Sequence, residues 1–402
     1  MISQTNVTVV GAGPVGLTAA FLLAEAGVPV TVFETSPTVP HELRASTWHP
    51  PTLDMLEPSG LTGVLIEHGR ITPTWQIRLL ESGEKAEFDL SVLRDDTNHP
   101  YRLQCEQSLY CDAVVARLSA MRQVELRFGE TVAAAGQTDE QAWVDVGQED
   151  GPLERLKAAY VIGCDGARSV VRDAMGAQFE GAAYPEITIL ATTRFPFETI
   201  LEGLSGVNYI WKEGGTFSLL HLPDMWRCAF YPELGQTADA ALKDEAIQRH
   251  IDEISPKIGA IEIIEKRAYR VHQRIADTYR AGRLFIAGDA AHLNSPKGGM
   301  GMNGGIHDAF SLARRLIEVS NAGDPSLLDG YERERRPIAL EDIIAQADIN
   351  RARMNETDAA ARRESLRDLQ AIAADPARAH AFLMRSSMIE GLRKAEMIAA
   401  DI

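Results

Sequence analysis

"VTVVGAGPVGLTAAFLLAEAG" occupies Val7–Gly27. Val7-Thr8-Val9-Val10 reads as a short buried strand, and the run from Pro14 to Gly27 reads as a helix ended by glycine. Between them Gly11, Gly13 and Gly16 keep the spacing G-x-G-x-x-G. Gly11 permits the tight turn, Gly13 lets backbone approach a pyrophosphate at the positive helix end, and Gly16 allows close helix–strand packing. Pro14 and Val15, in the same turn, belong to the same candidate binding set. A second strand, Val28–Phe33, ends in Glu34, 18 residues beyond Gly16. An acid at this place accepts hydrogen bonds from an adenosine ribose and disfavours a 2′-phosphate, so NADP is not the expected occupant. The competing reading is a tight strand–helix turn without a ligand. The complete pattern favours a dinucleotide site in a Rossmann-like unit.

Two later stretches repeat the theme. "YVIGCDGARSVVR", Tyr160–Arg172, is a strand that ends in Asp165-Gly166 before a helix opens near Ser169. An ordinary Asp-Gly turn with a helix cap explains it equally well. "GDAAHLNSPKGGMGMNGGIHDAFSLA", Gly288–Ala313, follows the apolar run Arg283–Ala287 and holds six glycines by Gly305. Glycine in such numbers weakens a chain unless backbone must come close to something. Asp289 at the strand end can meet ribose or ribitol hydroxyls. Gly298–Gly305 can run along a flat ring, and a helix beginning near Asn303 would aim its positive end at that ring.

The bulk properties bound the setting. The chain has 402 residues, 45% hydrophobic and 24% charged, and a net charge of −17. The length predicts two or three domains, and the acidity argues against nucleic acid or an anionic membrane as partner. The four cysteines, Cys105, Cys111, Cys164 and Cys228, make no C-x-x-C pair or zinc spacing, so no metal is expected. With no signal-peptide pattern and no long apolar span, a cytoplasmic location is the expectation.

Taken together, Gly11–Gly16, Asp165-Gly166 and Gly288-Asp289 resemble, in type and order, the motifs of the FAD-dependent aromatic hydroxylases, the single-component flavoprotein monooxygenases related to para-hydroxybenzoate hydroxylase. The likeness extends through Gly288-Asp289-Ala290-Ala291-His292, Pro296 and Gly301-Met302-Asn303, and spans nearly residues 1 to 340. Arg44 and Gln104 match family positions that contact the cofactor. The resemblance implies an α/β (α+β overall) fold: a Rossmann-like FAD-binding domain from residues 1–70, 100–180 and 271–335, an inserted β-sheet substrate domain from 71–99 and 181–270, and a C-terminal helical segment from 336–402. It implies FAD held by Gly11, Gly13, Pro14, Val15, Gly16, Glu34, Arg44, Gln104, Asp165, Gly288, Asp289, Pro296, Gly299, Gly301, Met302 and Asn303. It further implies NADPH or NADH as a transient reductant, O2 as co-substrate, a small aromatic or N-heteroaromatic substrate, a flavin C4a-hydroperoxide as oxygen donor, and dimerisation. His292 is read as structural rather than as a catalytic base, and "YERERRP", Tyr331–Pro337, as a solvated charged helix end.

The substrate side rests on fewer signals. Residues 206–233 read as a β-meander with turns at Gly214-Gly215 and Pro223-Asp224. Alternation puts Phe217, Leu219 and His221 on one face, and Tyr209 and Trp211 on one face of the preceding strand. Either face can line the pocket, so Tyr209, Trp211, Phe217 and His221 are the substrate-binding candidates, and His221, Tyr209 and Pro296 the catalytic ones. The ordinary alternative is a core histidine with sheet aromatics. The family's benzoate-binding arginine aligns with Leu222 or Pro223, which places a simple benzoate in doubt; Arg194 and Arg227 are nearby. Two other functions stay open: a flavin oxidoreductase that does not hydroxylate, and a non-catalytic flavin-binding regulator.

Overall fold

A computed structural model describes residues 5–148, 151–232 and 235–400. Its organising element is a sheet in which Val7–Val10 lies between Val30–Glu34 and Tyr160–Gly163, flanked further out by Val124–Phe128 and Leu284–Ile286, all parallel. Arg280–Ala281 closes one edge antiparallel. Val7–Val10, Tyr160–Gly163 and Leu284–Ile286 are buried along their whole length, as a parallel sheet covered on both faces requires. The helix Pro14–Glu25 covers one face together with Gly301–Ala322.

Strand order decides where a ligand can sit. From Val7–Val10 the chain moves outward to Val30–Glu34 on one side, and later to Tyr160–Gly163 and Leu284–Ile286 on the other. The reversal opens a crevice beyond the carboxyl ends of the central strands. Gly11, Glu34, Asp165 and Asp289 all stand at those ends, which is why three motifs far apart in sequence meet at one place.

A second sheet of eight strands runs in the order His292–Leu293, Glu265–Ala276, Phe179–Thr193, Trp226–Phe230, Gly215–His221, Val207–Lys212, Thr74–Leu79, Lys85–Asp89. Its two faces have different fates. Ile210, Phe217, Phe230 and Ile189 are register partners in turn and pack with Ile247 and Ile251 of the helix Asp244–Ile254. The neighbouring row, Tyr209, Ser218, Ala229, Leu190 and Arg267, faces the crevice of the parallel sheet.

The C-terminal segment is helical: Asp329–Ile338, a π-helical turn over Ala339–Ile344, then Ala345–Asn355, Ala359–Ala373, Pro376–Ser386 and Ile389–Ala400. Asp375 caps the helix that Pro376 opens, accepting from Ala377 N at 2.9 Å. Leu366, Leu369, Leu383 and Ile389 bury the part of the second sheet that carries Trp75 and Trp211. No helix among the described residues is long and apolar enough to cross a membrane.

Candidate functional site

Between the two sheets lies a cleft of about 780 Å³, within the range of small-molecule and cofactor sites. At one end are Gly11, Gly13, Glu34 and Arg44; in the middle Asp165, Asp289, Pro296, Gly299, Gly301 and Met302; at the far end Tyr209, Ser218, Leu220, Tyr231 and Tyr269.

The first turn is built by steric necessity. Gly11 sits at φ +99°, and a Cβ there would stand 2.4 Å from the carbonyl oxygen of Cys164; one on Gly16 would stand 2.0 Å from the carbonyl oxygen of Gly11. Gly13 differs: a Cβ would meet no protein atom, so its backbone faces open cleft. Glu34 supports this turn, accepting from Ala12 N at 2.9 Å through Oε2 and from Ser36 N at 2.9 Å through Oε1.

Asp165 serves two ends. Its Oδ2 accepts from Val170 N at 2.7 Å and so caps the following helix, while its buried Oδ1 has no hydrogen-bond partner among the described residues. Burial raises its pKa against the hydrogen bonds it accepts. Asp289 is exposed to the open cleft, and the protein crowded around it raises its carboxyl above the ordinary range, opposed by His292 and Arg44. Both acids offer acceptor oxygens where hydroxyls of a ligand would lie.

Behind the Gly288-Asp289 turn sits a buried ionic hub. Asp308 accepts from His292 Nε2 and from Arg335 Nε, each at 2.8 Å, and from Gly288 N at 3.2 Å. Burial raises the Asp308 pKa, but His292 and Arg335 outweigh it and hold the group low. Three expectations are corrected at this hub. "YERERRP" is not a solvated helix end: Tyr331, Glu334 and Arg335 are buried, and Tyr331 Oη donates to the carbonyl of Ile286 at 2.7 Å. Gly288 contacts Val15 rather than the cleft, and Gly305 stands against both: a Cβ on it would come within 2.6 Å of Val15 and 2.9 Å of Gly288. Several glycines of this run therefore serve helix packing. Asn303 also lies outside the cleft lining. It is buried, donates to Thr47 O and Gly299 O at 2.9 and 2.8 Å, and accepts from His49 N, so it positions the glycine loop.

Other expected residues are relocated. Gln104 is buried, accepts from Thr47 Oγ1 at 3.0 Å and does not reach the cleft; Gln107, at the start of the next helix, lines it instead. Gly16 is packed behind the turn. On the second sheet Tyr209 faces the cleft, whereas Trp211, Phe217 and His221 do not. Phe217 and His221 point to the opposite face by strand alternation. His221 stacks on its register partner Trp226 at 4.0 Å, and burial lowers its pKa, assisted by Arg70. Trp211 shares the parity of Tyr209, but the C-terminal helices cover it and its Nε1 donates to Arg353 O at 3.1 Å.

Among the lining residues that were not candidates are Tyr231, Tyr269, Lys297 and Gln107. Tyr269, on the strand Glu265–Ala276, and Tyr231, one residue past the strand Trp226–Phe230, follow the cleft-facing parity, a signal that register alone reveals. Burial drives the Tyr231 phenol upward and raises Tyr269 to about 12, so both are neutral hydroxyls at ordinary pH. Arg227, from the same face, ties the sheets together: its Nη1 donates to Arg44 O at 2.7 Å and Ser46 Oγ at 2.8 Å, and its guanidinium pairs with Glu106. Leu222 and the exposed Arg194 lie outside the lining. One possible ligand group elsewhere, Asp54, Glu57 and His99, is already joined internally, with His99 Nδ1 2.7 Å from Asp54.

The open backbone at Gly13, the unpartnered Asp165 Oδ1 and the carboxylate of Asp289 fit a dinucleotide whose second half extends toward the β-sheet. Known proteins agree. Residues 4–347 match the family model described as the FAD binding domain. Para-nitrophenol 4-monooxygenase of Pseudomonas sp. (strain WBC-3) is 32% identical over 406 residues, 98% of each chain. 6-Hydroxy-3-succinoylpyridine 3-monooxygenase HspB of Pseudomonas putida (strain DSM 28022 / S16) is 31% identical over 87% of this chain and 89% of its own. The crystal structure of p-nitrophenol 4-monooxygenase PnpA from Pseudomonas putida DLL-E4 superposes with a TM-score of 0.88 at 30% identity, covering 98% of this chain and 99% of that one. With the three motifs gathered around one cleft, the chain belongs to the FAD-dependent aromatic hydroxylases, a family of flavin monooxygenases.

Proposed function

We propose that this protein hydroxylates a phenol-type or hydroxylated N-heteroaromatic ring, using NADH or NADPH and O2. The observation that carries the reading is the continuity of the cleft: groups suited to a dinucleotide pass without a wall into a sheet face bearing three tyrosines. When bound, the flavin supplies the redox chemistry, accepting electrons from the nicotinamide and delivering one oxygen atom of O2 to the ring. The protein's part is to bind, orient and exclude water.

Residues 1–70, 100–180 and 271–335 form the cofactor-binding domain in this proposal, and 71–99 with 181–270 the substrate domain. Gly11, Gly13, Glu34, Asp165 and Asp289 hold the nucleotide and its linker. Pro296, Gly299, Gly301 and Met302 form the surface on which the ring system rests. Tyr209 orients the substrate at its Oη and relays the substrate's hydroxyl proton. Arg102 supports that role: it is buried beside Tyr209, and its Nε and Nη1 lack hydrogen-bond partners among the described residues. Pro296 bounds the reacting region. His221 drops out of the mechanism because its ring is engaged with Trp226 on the far face. Names among the relatives, para-nitrophenol and pentachlorophenol, support acidic phenols as the substrate class.

The test is NAD(P)H consumption by FAD-loaded protein against phenols, hydroxypyridines and hydroxybenzoates, with product mass read alongside. A stimulated rate and a product one oxygen heavier are expected. Stimulation without oxygen insertion would instead establish a non-hydroxylating oxidoreductase. Dimerisation belongs to the same proposal and is read by sedimentation velocity.

A further inference from the structure

One strand of the second sheet breaks its ladder beside the cleft. In Phe179–Thr193, Ala183 pairs with His272 and Ile187 with Arg270, so Tyr184, Pro185 and Glu186 stand opposite Val271 alone. Proline has no N–H to give the ladder, and the surplus residues form a bulge. Arg270 and His272 line the cleft, and Arg270 is also exposed, so the cavity meets solvent along this stretch.

The sheet does not hold the bulge; the tail helix Ala345–Asn355 does. Asp348, Arg351 and Asn355 follow one another at helical spacing on one face of it. Tyr184 Oη lies 2.5 Å from Gln273 Oε1 and 3.2 Å from Asp348 Oδ1, and Asp348 Oδ2 accepts from Gln273 Nε2 at 2.7 Å. The Arg351 guanidinium lies over the Tyr184 ring, 3.6 Å from its centroid, and pairs with Glu186. Asn355 Nδ2 donates to Glu186 Oε1 at 3.1 Å.

These ties are polar and only half buried. The helix Ala345–Asn355 buries Ala347 and Met354, whereas the next two helices bury Leu366, Leu369, Leu383 and Met384. Glu186 and Arg351 keep 23% and 24% of their side chains exposed. A partly solvated ion pair holds weakly, and a segment with few buried apolar contacts opens at low cost. Residues 184–186 have no register partner, so their movement leaves the ladders on either side intact. The helix itself is pinned near its end, where Trp211 Nε1 donates to Arg353 O at 3.1 Å. The bulge is the movable part and the helix its post.

One amide connects this latch to the cleft. Asn355 Oδ1 accepts from Lys297 Nζ at 2.6 Å while its Nδ2 serves Glu186. Lys297 lines the cleft, and its carbonyl accepts from Asn350 Nδ2 at 3.2 Å. Glu186 Oε2 is buried with no hydrogen-bond partner among the described residues. Glu186 thus stands between a cation of the tail, Arg351, and a cation of the cleft, Lys297.

Resting on the monooxygenase reading above, we propose that the bulge at residues 184–186 is a gate for the aromatic ring. Latched by Arg351 and Asn355, it closes the rim beside Arg270; released, it swings from the tail helix and lets the ring enter or leave while the cofactor stays bound. A gate acts on both directions of exchange alike, so it sets how fast the ligand comes and goes and not how tightly it is held.

The probe is 4-nitrophenol, mixed by stopped flow with the FAD-loaded full chain at one pH and followed by flavin absorbance. Hydrogen exchange of the same protein is read by mass spectrometry. Glu186→Gln should raise the association and dissociation rates together by about fivefold and leave Kd within about twofold. It should also speed exchange at residues 183–187 and leave the central parallel sheet unchanged. Arg351→Gln, the second variant should Glu186→Gln fail to fold, should do the same. Lys394→Gln cuts an ion pair of the tail with Asp342, away from the bulge, and should leave both rates as they are. A changed Kd at unchanged rates makes Glu186 a determinant of affinity and overturns the gate. Unmoved rates, an equal response in Lys394→Gln, or a chain that binds no nitrophenol overturn it as well. Product mass separates the two readings: faster rates without oxygen insertion keep the gate and remove hydroxylation, and oxygen insertion with unmoved rates does the reverse.

Discussion

The two ends of the cleft are made in different ways. At the nucleotide end, backbone does most of the shaping, and the side chains that matter stand within a few residues of a strand end: Gly11, Gly13, Glu34, Asp165, Asp289. At the substrate end, the wall is a row of side chains from separate strands, Tyr209, Ser218, Ala229 and Leu190, brought together by register, and closed by a loop held from the C-terminal helices. The first end is local chemistry repeated three times. The second is a product of long-range pairing.

That difference can be broken or sharpened experimentally. The largest effect is expected at the hub behind the nucleotide end. Asp308→Ala leaves His292 and Arg335 buried without their partner and should destabilise the protein by about 3–5 kcal/mol, measured by chemical denaturation. Because Asp308 is held below its ordinary range, its stabilisation is present at neutral pH and lost as pH falls through the folded-state pKa. Asp308→Asn should therefore flatten the acid side of the stability profile; an unchanged acid slope would assign that dependence to other groups.

Next in size, Asp289→Ala should weaken FAD retention by about ten- to a hundredfold, the worth of a hydrogen bond to a charged group, with melting temperature of the apoprotein unchanged. Unaltered flavin affinity would remove Asp289 from the site. Tyr209→Phe, at the other end, should lower kcat with the true substrate by about tenfold or more while FAD stays bound; a loss of flavin instead would show the two ends to be one unit. The smallest effect belongs to His221→Ala. Turnover should stay within about twofold, with a stability loss of about 1 kcal/mol from the broken stack on Trp226. A collapse in turnover at full flavin occupancy would return His221 to the mechanism.

The same contrast explains what could be read in advance. The family and the fold class were legible because G-x-G-x-x-G, Glu34 and the two later Asp-Gly and Gly-Asp turns carry their function in local spacing. Parity on the strand Gly215–His221 was also legible: Phe217, Leu219 and His221 do share a face. Which face met the cleft was not, since that depends on how the sheet packs against the parallel sheet and the helix Asp244–Ile254. Trp211 shows the limit of parity itself. It shares the face of Tyr209 and yet is covered, because helices more than a hundred residues later lie over that part of the sheet. Tyr331–Pro337 looked solvated because five of its seven residues are charged; partners distant in sequence, Asp308 for Arg335 and Arg315 for Glu334, make burial tolerable.

The contact of Asn350 with the Lys297 carbonyl has an engineering consequence. The tail grips the glycine-rich loop that lines the middle of the cleft, yet among the described residues it makes no hydrogen bond or ion pair with Glu34, Asp165 or Asp289. Substrate range can then be tuned from residues 345–355 as an adjustable mount, with the cofactor site left as a fixed chassis. Chimeras joined upstream of this helix should carry over redox competence together with the tail donor's substrate preference.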